Sequence, residues 1–264
     1  MTAPFIQVIN LDGSDDRLAA ARAQLEAQGL AFTRSPAFDG RGLPMEDLPR
    51  YSAFRARLWF GRPLTGGEVG CFLSHRACAE RFLATDAAVG LVLEDDLRLC
   101  DDFALKLDAL VAALGSGTAP GWRLVNLGRS LKPGQDRHAV AHLPGQVSLC
   151  QGADFPLSTH GLLWSRPGAE RFLQAAQWVT GTIDNWLRSD MSVHGGGLFT
   201  DPPLVLAGGE SLINLERGAA EIQQSDGPRR GWYALRSRQR SRWRRTFGAR
   251  HLARIRRLDQ FPLA

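Results

Sequence analysis

Over about the first 215 residues, short apolar runs alternate with stretches whose apolar residues recur at helical spacing. A chain written this way has few options besides a sheet covered by helices on both faces. Phe5-Ile-Gln-Val-Ile-Asn-Leu11 reads as a buried strand, after which Ser14 caps a helix with Leu18, Ala21 and Leu25 on one stripe and Gly29 at its end. A second strand is expected within 30–38. Asp39-Gly40 and the prolines up to Pro63 then mark a long irregular stretch, read as a surface lid or loop. Thr65 and Glu68 stand at capping-box spacing ahead of Val69, Phe72, Leu73 and Ala77, which predicts a helix from 66 to about 84. Val89-Gly-Leu-Val-Leu93 is a short apolar strand. Further strands are expected at 123–127, 147–151, 161–165 and 204–207, with helices beginning at Pro167 and near Thr182. The fold class expected is α/β with a mostly parallel sheet.

With 264 residues and 44% hydrophobic content, such a chain can bury a core without disulfides or a structural metal. Its four cysteines make no C-x-x-C pair, so free thiols in a reducing cytoplasm are expected. The first apolar run is short and has no basic residues ahead of it, unlike a signal peptide. No stretch approaches the roughly 20 apolar residues of a membrane span.

Charge is distributed unevenly. From Arg229 to Arg257 there are 12 arginines and no acid, and Asp259 is the sole carboxylate after Asp226, so this tail carries +11 while the chain as a whole is only +5. An acidic body, 1–226, therefore bears a basic appendage, 227–264. Trp232, Tyr233, Trp243 and Phe247 interleave with its arginines, which is the composition of an amphipathic helix lying on an anionic membrane surface. Nucleic acid is the weaker alternative, because the acidic body would repel it.

The predicted strand at 89–93 runs directly into Glu94-Asp95-Asp96. Three adjacent carboxylates repel one another, and holding them at a strand's carboxyl end calls for a cation or a positive ligand. Oxygen donors suit Mg²⁺ or Mn²⁺, ions that commonly neutralise a diphosphate. Equally, the triplet could open a solvated loop or cap a helix over 103–114.

Several segments occur in order: VINLDGSDDR at 8–17, AFDGRGL at 37–43, LTGGEVGCFLSHRA at 64–77 and LVLEDDL at 91–97, followed by HGLLWSRPGAERFL at 160–173, IDNWL at 183–187, and PPLV with Ser211-Leu-Ile at 202–213. Together they resemble glycosyltransferase family 25, the lipooligosaccharide galactosyltransferases and their collagen-modifying relatives. The resemblance implies a GT-A-like single nucleotide-sugar-binding domain and a UDP-sugar donor, usually UDP-galactose. It also implies a D-x-D-like metal motif at Glu94-Asp95-Asp96, with Asp96 and Glu94 as metal ligands for Mn²⁺ or Mg²⁺. By the same resemblance Asn10, Asp12, Arg17 and His75 line the donor site with Glu94 and Asp95, and Asp184 is the base that accepts the acceptor hydroxyl's proton in an inverting transfer.

Each residue also has a plainer role. Asp12 could be a turn acid, Glu68 a capping residue, His75 a core histidine, Asp184 a first-turn acid and Trp186 a core aromatic. Asp154 stands behind Asp184 as base, and His160 and His194 are additional possible metal ligands. Cys71, His75 and Cys78 share a helical stripe, but a structural zinc site needs a fourth ligand. The expected activity is transfer of a hexose, with galactose first, to a hydroxyl of a lipooligosaccharide or related glycan, by an enzyme at the cytoplasmic face of the membrane. The rivals are a non-catalytic glycan- or membrane-binding module and a metal-dependent nucleotidyltransferase. The second lacks a lysine-bearing phosphate loop, since Lys106 and Lys132 are the only lysines.

Overall fold

The computed structural model describes residues 3–208 and 228–260. Its strands are β1 (Phe5–Asn10), β2 (Thr33–Pro36), β3 (Val89–Glu94), β4 (Leu97–Leu99), β5 (Leu124–Asn126), β6 (Arg137–Leu143), β7 (Val147–Gly152), β8 (Gly161–Ser165), β9 (Gly197–Asp201) and β10 (Val205–Ala207). Eight of them form the central sheet, in the order β2-β1-β3-β8-β5-β9-β7-β6. Six of the eight point one way. Only β8 and β7 are reversed, and every antiparallel pairing in this sheet involves one of them. The expected α/β sheet is thus present as a mixed one. The apolar run at 204–207 does not join it. Instead β10 pairs with β4 in a separate two-stranded ribbon that follows the acidic triplet.

Side-chain alternation along the strands divides the core between two faces. Ile9, Val92, Leu124, Leu162 and Trp164 pack with α3 (Gly66–Leu83), α5 (Arg166–Ala175) and α6 (Ile183–His194). Ile6, Val8, Leu91, Leu93, Val125 and Leu163 pack with α1 (Asp15–Ala27) and α4 (Phe103–Gly115). Phe72, Phe172 and Trp186 interlock at centroid distances of 5.3–6.3 Å, which settles Trp186 as a core aromatic. The capping box at Thr65 and Glu68 forms as expected. Ser14 occupies the N-cap position of α1, yet its side chain makes no capping bond.

The stretch read as a surface lid is anchored. It contains α2 (Ala53–Trp59), and Leu48, Tyr51 and Phe60 within it are buried, as is Leu64 just after it. Tyr51 bridges Val179 and receives a hydrogen bond on its hydroxyl from the Leu64 amide at 2.9 Å. Apolar residues spaced irregularly among prolines gave no periodicity from which to read this.

The basic tail forms one long helix, α7 (Pro228–Gln260), laid along the body. Trp232 Nε1 donates to the Arg57 carbonyl at 2.8 Å, Arg240 Nη1 donates to the Trp59 and Phe60 carbonyls at 2.6 and 2.9 Å, and Leu252 is buried. The boundary expected at 226–227, and Ser211-Leu-Ile, lie outside the described residues. No helix among the described residues is long and apolar enough to cross a membrane.

Two backbone contacts explain two of the three glycines of the 64–77 segment. A Cβ at Gly66 would strike the Gly40 carbonyl, and one at Gly70 the Phe38 carbonyl. The first turns of α3 therefore lie directly against the 37–43 segment, backbone to backbone. Gly70→Ala should push these apart at a cost of about 1–3 kcal/mol, lowering the melting temperature by roughly 2–10 °C; calorimetry of the two proteins measures it.

Candidate functional site

The strands β1, β2 and β3 are parallel neighbours, so their carboxyl ends open on one edge of the sheet. An open cleft lies there, lined by Leu11, Ser14 and Arg17 after β1, by Ala37 to Asp39 and Arg41 after β2, by Glu94, Asp95 and Asp96 at the end of β3, and by Cys71, Ser74 and His75 from α3. Ligands gather at such edges because the strand ends leave room between diverging loops, with helix N-termini nearby.

Each carboxylate of the triplet has different surroundings. Glu94 receives a hydrogen bond from Thr159 Oγ1 at 2.5 Å and lies 3.3 Å from His75 Nε2, with His160 Nε2 3.9 Å from its other oxygen. Burial opposes its ionisation, but the His75 hydrogen bond, the nearby imidazoles and Thr159 together outweigh that and bring its pKa down to about 2. Asp95 turns the other way, where Asn10 Nδ2 donates to it at 2.8 Å and Arg17 lies 3.5 Å off. Its pKa is nonetheless raised by burial. Asp96 is raised too, by burial and then by the Glu94 charge, and its Oδ1 is buried without a hydrogen-bond partner.

His160 completes this group. Its Nε2 is 3.8 Å from Asp96 Oδ1, while its Nδ1 shares a 2.9 Å hydrogen bond with Ser158 Oγ, which aims the ring at the two carboxylates. The 156–160 loop is held in turn by buried Asn126, whose Nδ2 donates to the Pro156 and Ser158 carbonyls and whose Oδ1 accepts from the Gly128 and Arg129 amides. One ligand atom from each of Glu94, Asp96 and His160 lies within 4.8 Å of the others. Two carboxylate oxygens and an imidazole nitrogen, with Asp96 Oδ1 buried and without a hydrogen-bond partner, fit a hard divalent cation. Cys71, His75 and Glu94 form a second such group, but the His75 nitrogen that faces Glu94 is already in the hydrogen bond to it. Cys78 turns away, its sulfur 3.1 Å from Ser35 Oγ, so the stripe considered for zinc does not converge.

Of the residues singled out in the sequence, Arg17, His75, Glu94, Asp95 and Asp96 meet in the cleft. Asn10 is buried beneath it, holding Asp95 through Nδ2 and receiving Arg34 Nε on Oδ1 at 2.9 Å, which makes it a positioning residue. Asp12 is outside the cleft lining, exposed and paired with Arg34. Asp184 is outside it as well, in the first turn of α6, where its Oδ1 accepts from the Asn185 amide at 2.8 Å. Asp154 is enclosed by Arg188, Arg244 and Ser192, and His194 pairs with Asp190. Glu68 binds Arg62 at 2.7 Å besides capping α3. Thr159, Ser158 and Asn126 were not foreseen. A threonine or serine beside a histidine carries no signal until the carboxylate it serves is known to be near.

Residues 3–117 match the family model described as Glycosyltransferase family 25 (LPS biosynthesis protein). Among curated proteins, the "Probable inactive glycosyltransferase 25 family member 3" of Rattus norvegicus is 41% identical over 87 residues, covering 33% of this chain and 15% of that protein. "Procollagen galactosyltransferase 2" of Mus musculus is 30% identical over 175 residues, covering 64% of this chain and 27% of that protein. The matched regions thus span about a quarter or less of those relatives' length. A solved structure, described as a glycosyltransferase involved in the glycosylation of the major capsid of PBCV-1, aligns with a TM-score of 0.38 at 12% identity, covering 83% of this chain and 100% of that one.

The low pKa of Glu94 has a measurable consequence. A carboxylate depressed on folding contributes stability that is present above its unfolded value, near 4.5, and lost as pH falls through about 2. Metal-free wild-type protein should therefore lose more stability between those pH values than Glu94→Gln does. Denaturant titrations along that acid limb test this, and parallel curves would contradict the assigned surroundings of Glu94.

Proposed function

We propose that this chain, which belongs to glycosyltransferase family 25, transfers a hexose, galactose first, from a UDP-sugar to a hydroxyl of a lipooligosaccharide or related surface glycan. The observation that carries this reading is the convergence of His160 on Glu94 and Asp96, two carboxylates that line the cleft at the carboxyl ends of β1, β2 and β3 and lie inside the family-matched region. A GT-A-like donor domain places the nucleotide sugar at such an edge.

In this reading Glu94, Asp96 and His160 hold Mn²⁺ or Mg²⁺. A divalent cation there supplies charge that offsets the leaving diphosphate. Arg17 adds positive charge at the mouth of the first strand-to-helix turn, and Asn10 keeps Asp95 turned toward Arg17. Ser14 and Arg17 face the donor from α1, with Ala37 to Asp39 and Arg41 opposite.

The acceptor oxygen attacks the anomeric carbon, its proton passes to a base, and the carbon–oxygen bond to the diphosphate breaks with its electron pair leaving on UDP. Asp184 is the proposed base. Its Oδ1 is engaged by local donors from Asn185, whereas Oδ2 makes no hydrogen bond among the described residues. Asp154, the other candidate, has no such freedom, since its oxygens are taken by two guanidiniums and Ser192. Two of the matched relatives carry the word inactive in their names, which keeps a non-catalytic glycan-binding module as the second reading.

A transfer assay with and without Mn²⁺ separates the two. Asp96→Ala should abolish metal-dependent turnover while leaving the melting temperature nearly unchanged. Asp184→Asn should lower transfer by roughly 10² or more at unchanged UDP-sugar affinity. Mn²⁺-dependent turnover retained in Asp96→Ala within a few-fold of the parent would overturn the metal assignment, and a collapse of donor affinity in Asp184→Asn would move the base elsewhere.

The enzyme is further proposed to work at the cytoplasmic face of the membrane. The outer side of α7 leaves Trp232, Leu235, Trp243 and Phe247 exposed among Arg238, Arg242, Arg245 and Arg250, as an interfacial helix does. Deleting α7 would strip buried contacts from the body, so point changes are the informative ones. Leu235→Ser with Phe247→Ser should weaken co-sedimentation with anionic vesicles, most clearly at high salt, where the charge contribution is screened. Equal sedimentation of both proteins would remove the anchor.

A further inference from the structure

A second cavity, of about 630 Å³, lies between α7 and the helices α5 and α6, away from the acidic cleft. That size accommodates a small ligand. Four arginines line it: Arg171 from α5, and Arg236, Arg240 and Arg244 at consecutive turns of α7. The lining holds one carboxylate, Asp190, which already serves Arg123 at 3.0 Å, Arg171 at 3.2 Å and His194 at 2.9 Å. Asp154, beneath the wall, is shared by Arg188 and Arg244. Positive charge is in excess.

The donors are not satisfied either. The Nε atoms of Arg171, Arg236 and Arg240, and Ser189 Oγ, are buried without a hydrogen-bond acceptor. Arg240 is 7% exposed; its Nη1 is spent on the Trp59 and Phe60 carbonyls, and burial together with Arg244 and Arg236 draws its pKa down to about 10. Unpaired buried donors of this kind cost free energy; Arg171 Nη2 and Arg236 Nη1 are engaged by Asp190 and Gln239, and an anion in the cavity would meet the guanidinium groups of the lining and offset their excess charge. Guanidiniums favour phosphate oxygens through their paired N–H groups. Trp243 in the same lining offers a flat apolar face of the sort that packs against a sugar ring.

We propose that the cavity beneath α7 binds a phosphorylated saccharide, with Arg171, Arg236 and Arg240 holding the phosphate and Trp243 packing against the sugar. The site is separate from the acidic cleft and does not depend on the donor reading. A free sugar phosphate and a phosphate at a lipid-linked glycan present the same chemistry to it.

Isothermal titration of the full chain in EDTA, where the metal-free acidic cleft repels anions, tests the site with inorganic pyrophosphate, a hexose phosphate and the neutral hexose. The expected result is saturable binding of the two anions, roughly one per chain, with none of the neutral sugar. Arg236→Gln and Arg171→Gln should each weaken both anions by about tenfold. Trp243→Ala should weaken the hexose phosphate and spare pyrophosphate, and Asp96→Asn should change neither. Arg240→Gln should abolish binding, but it also removes an anchor of α7, so the two rim arginines provide the deciding measurements. Absence of saturable binding, binding indifferent to Arg236→Gln and Arg171→Gln, or binding lost in Asp96→Asn would each overturn the proposal. Phosphatidylglycerol vesicles then identify the source. Release of vesicle-bound protein by pyrophosphate supports the site as one for a membrane-borne phosphate, and vesicle binding unaffected by saturating pyrophosphate supports it as one for the soluble sugar phosphate.

Discussion

Three carboxylates in a row at the end of a buried strand are the constraint around which the cleft is built. Left together in a poorly solvated place, like charges destabilise one another or give up a charge by protonation. Extended backbone sends Asp95 to one side and Glu94 and Asp96 to the other, and the protein meets each side with different partners. Asn10 and Arg17 come from the neighbouring strand and its following helix. Thr159 and His160 come from a loop before β8, and His75 from the middle of α3. Four distant segments are therefore tied to one point. The order of β1, β3 and β8 as sheet neighbours is what makes those ties short.

What could be read in advance follows from range. Elements with a local period or a local cap were legible: β1, β3, β8, and α3 with its Thr65–Glu68 box. So was the triplet, because adjacent like charges are an anomaly along the chain itself. β6 was missed because Arg137 to Leu143 exposes much of its length on an edge and lacks an apolar run. The packing of residues 39–63 was missed because its buried residues follow no single period. His160 could be named only as one possible ligand, since its role depends on β8 lying beside β3, a pairing between residues some 70 apart in sequence. Asn126 and Thr159 lay beyond sequence reasoning for the same reason.

The basic tail shows how composition misleads about placement. Twelve arginines suggest a solvated appendage, and arginine is seldom fully buried unless paired. Yet a long side chain can bury its stem while its head finds carbonyls. Arg240 does so, its guanidinium over Trp59 and Phe60 at 5.2 and 4.9 Å and hydrogen-bonded to their backbone. Net charge marked the segment as one of a single sign. It could not show that Arg236, Arg240 and Arg244, four residues apart, would line a cavity together with Trp243, or that Tyr233 would pack on Phe60, while Phe247 stayed exposed.

Placing the opposite charges in separate cavities has a chemical logic. On the proposed function, an anionic donor would approach this carboxylate cluster only with a cation shared between them, and its binding at the β3 cleft would depend on that ion. An anionic second ligand that used the same kind of site would compete for that ion. A pocket of guanidiniums needs no metal, since its charge is fixed at any physiological pH, and it attracts phosphate while the acidic cleft repels it. Beyond about 8 Å the two fields are screened from each other at physiological salt. Each cavity can therefore keep its own sign of ligand without disturbing the other, although both are assembled on helices that pack against the same sheet.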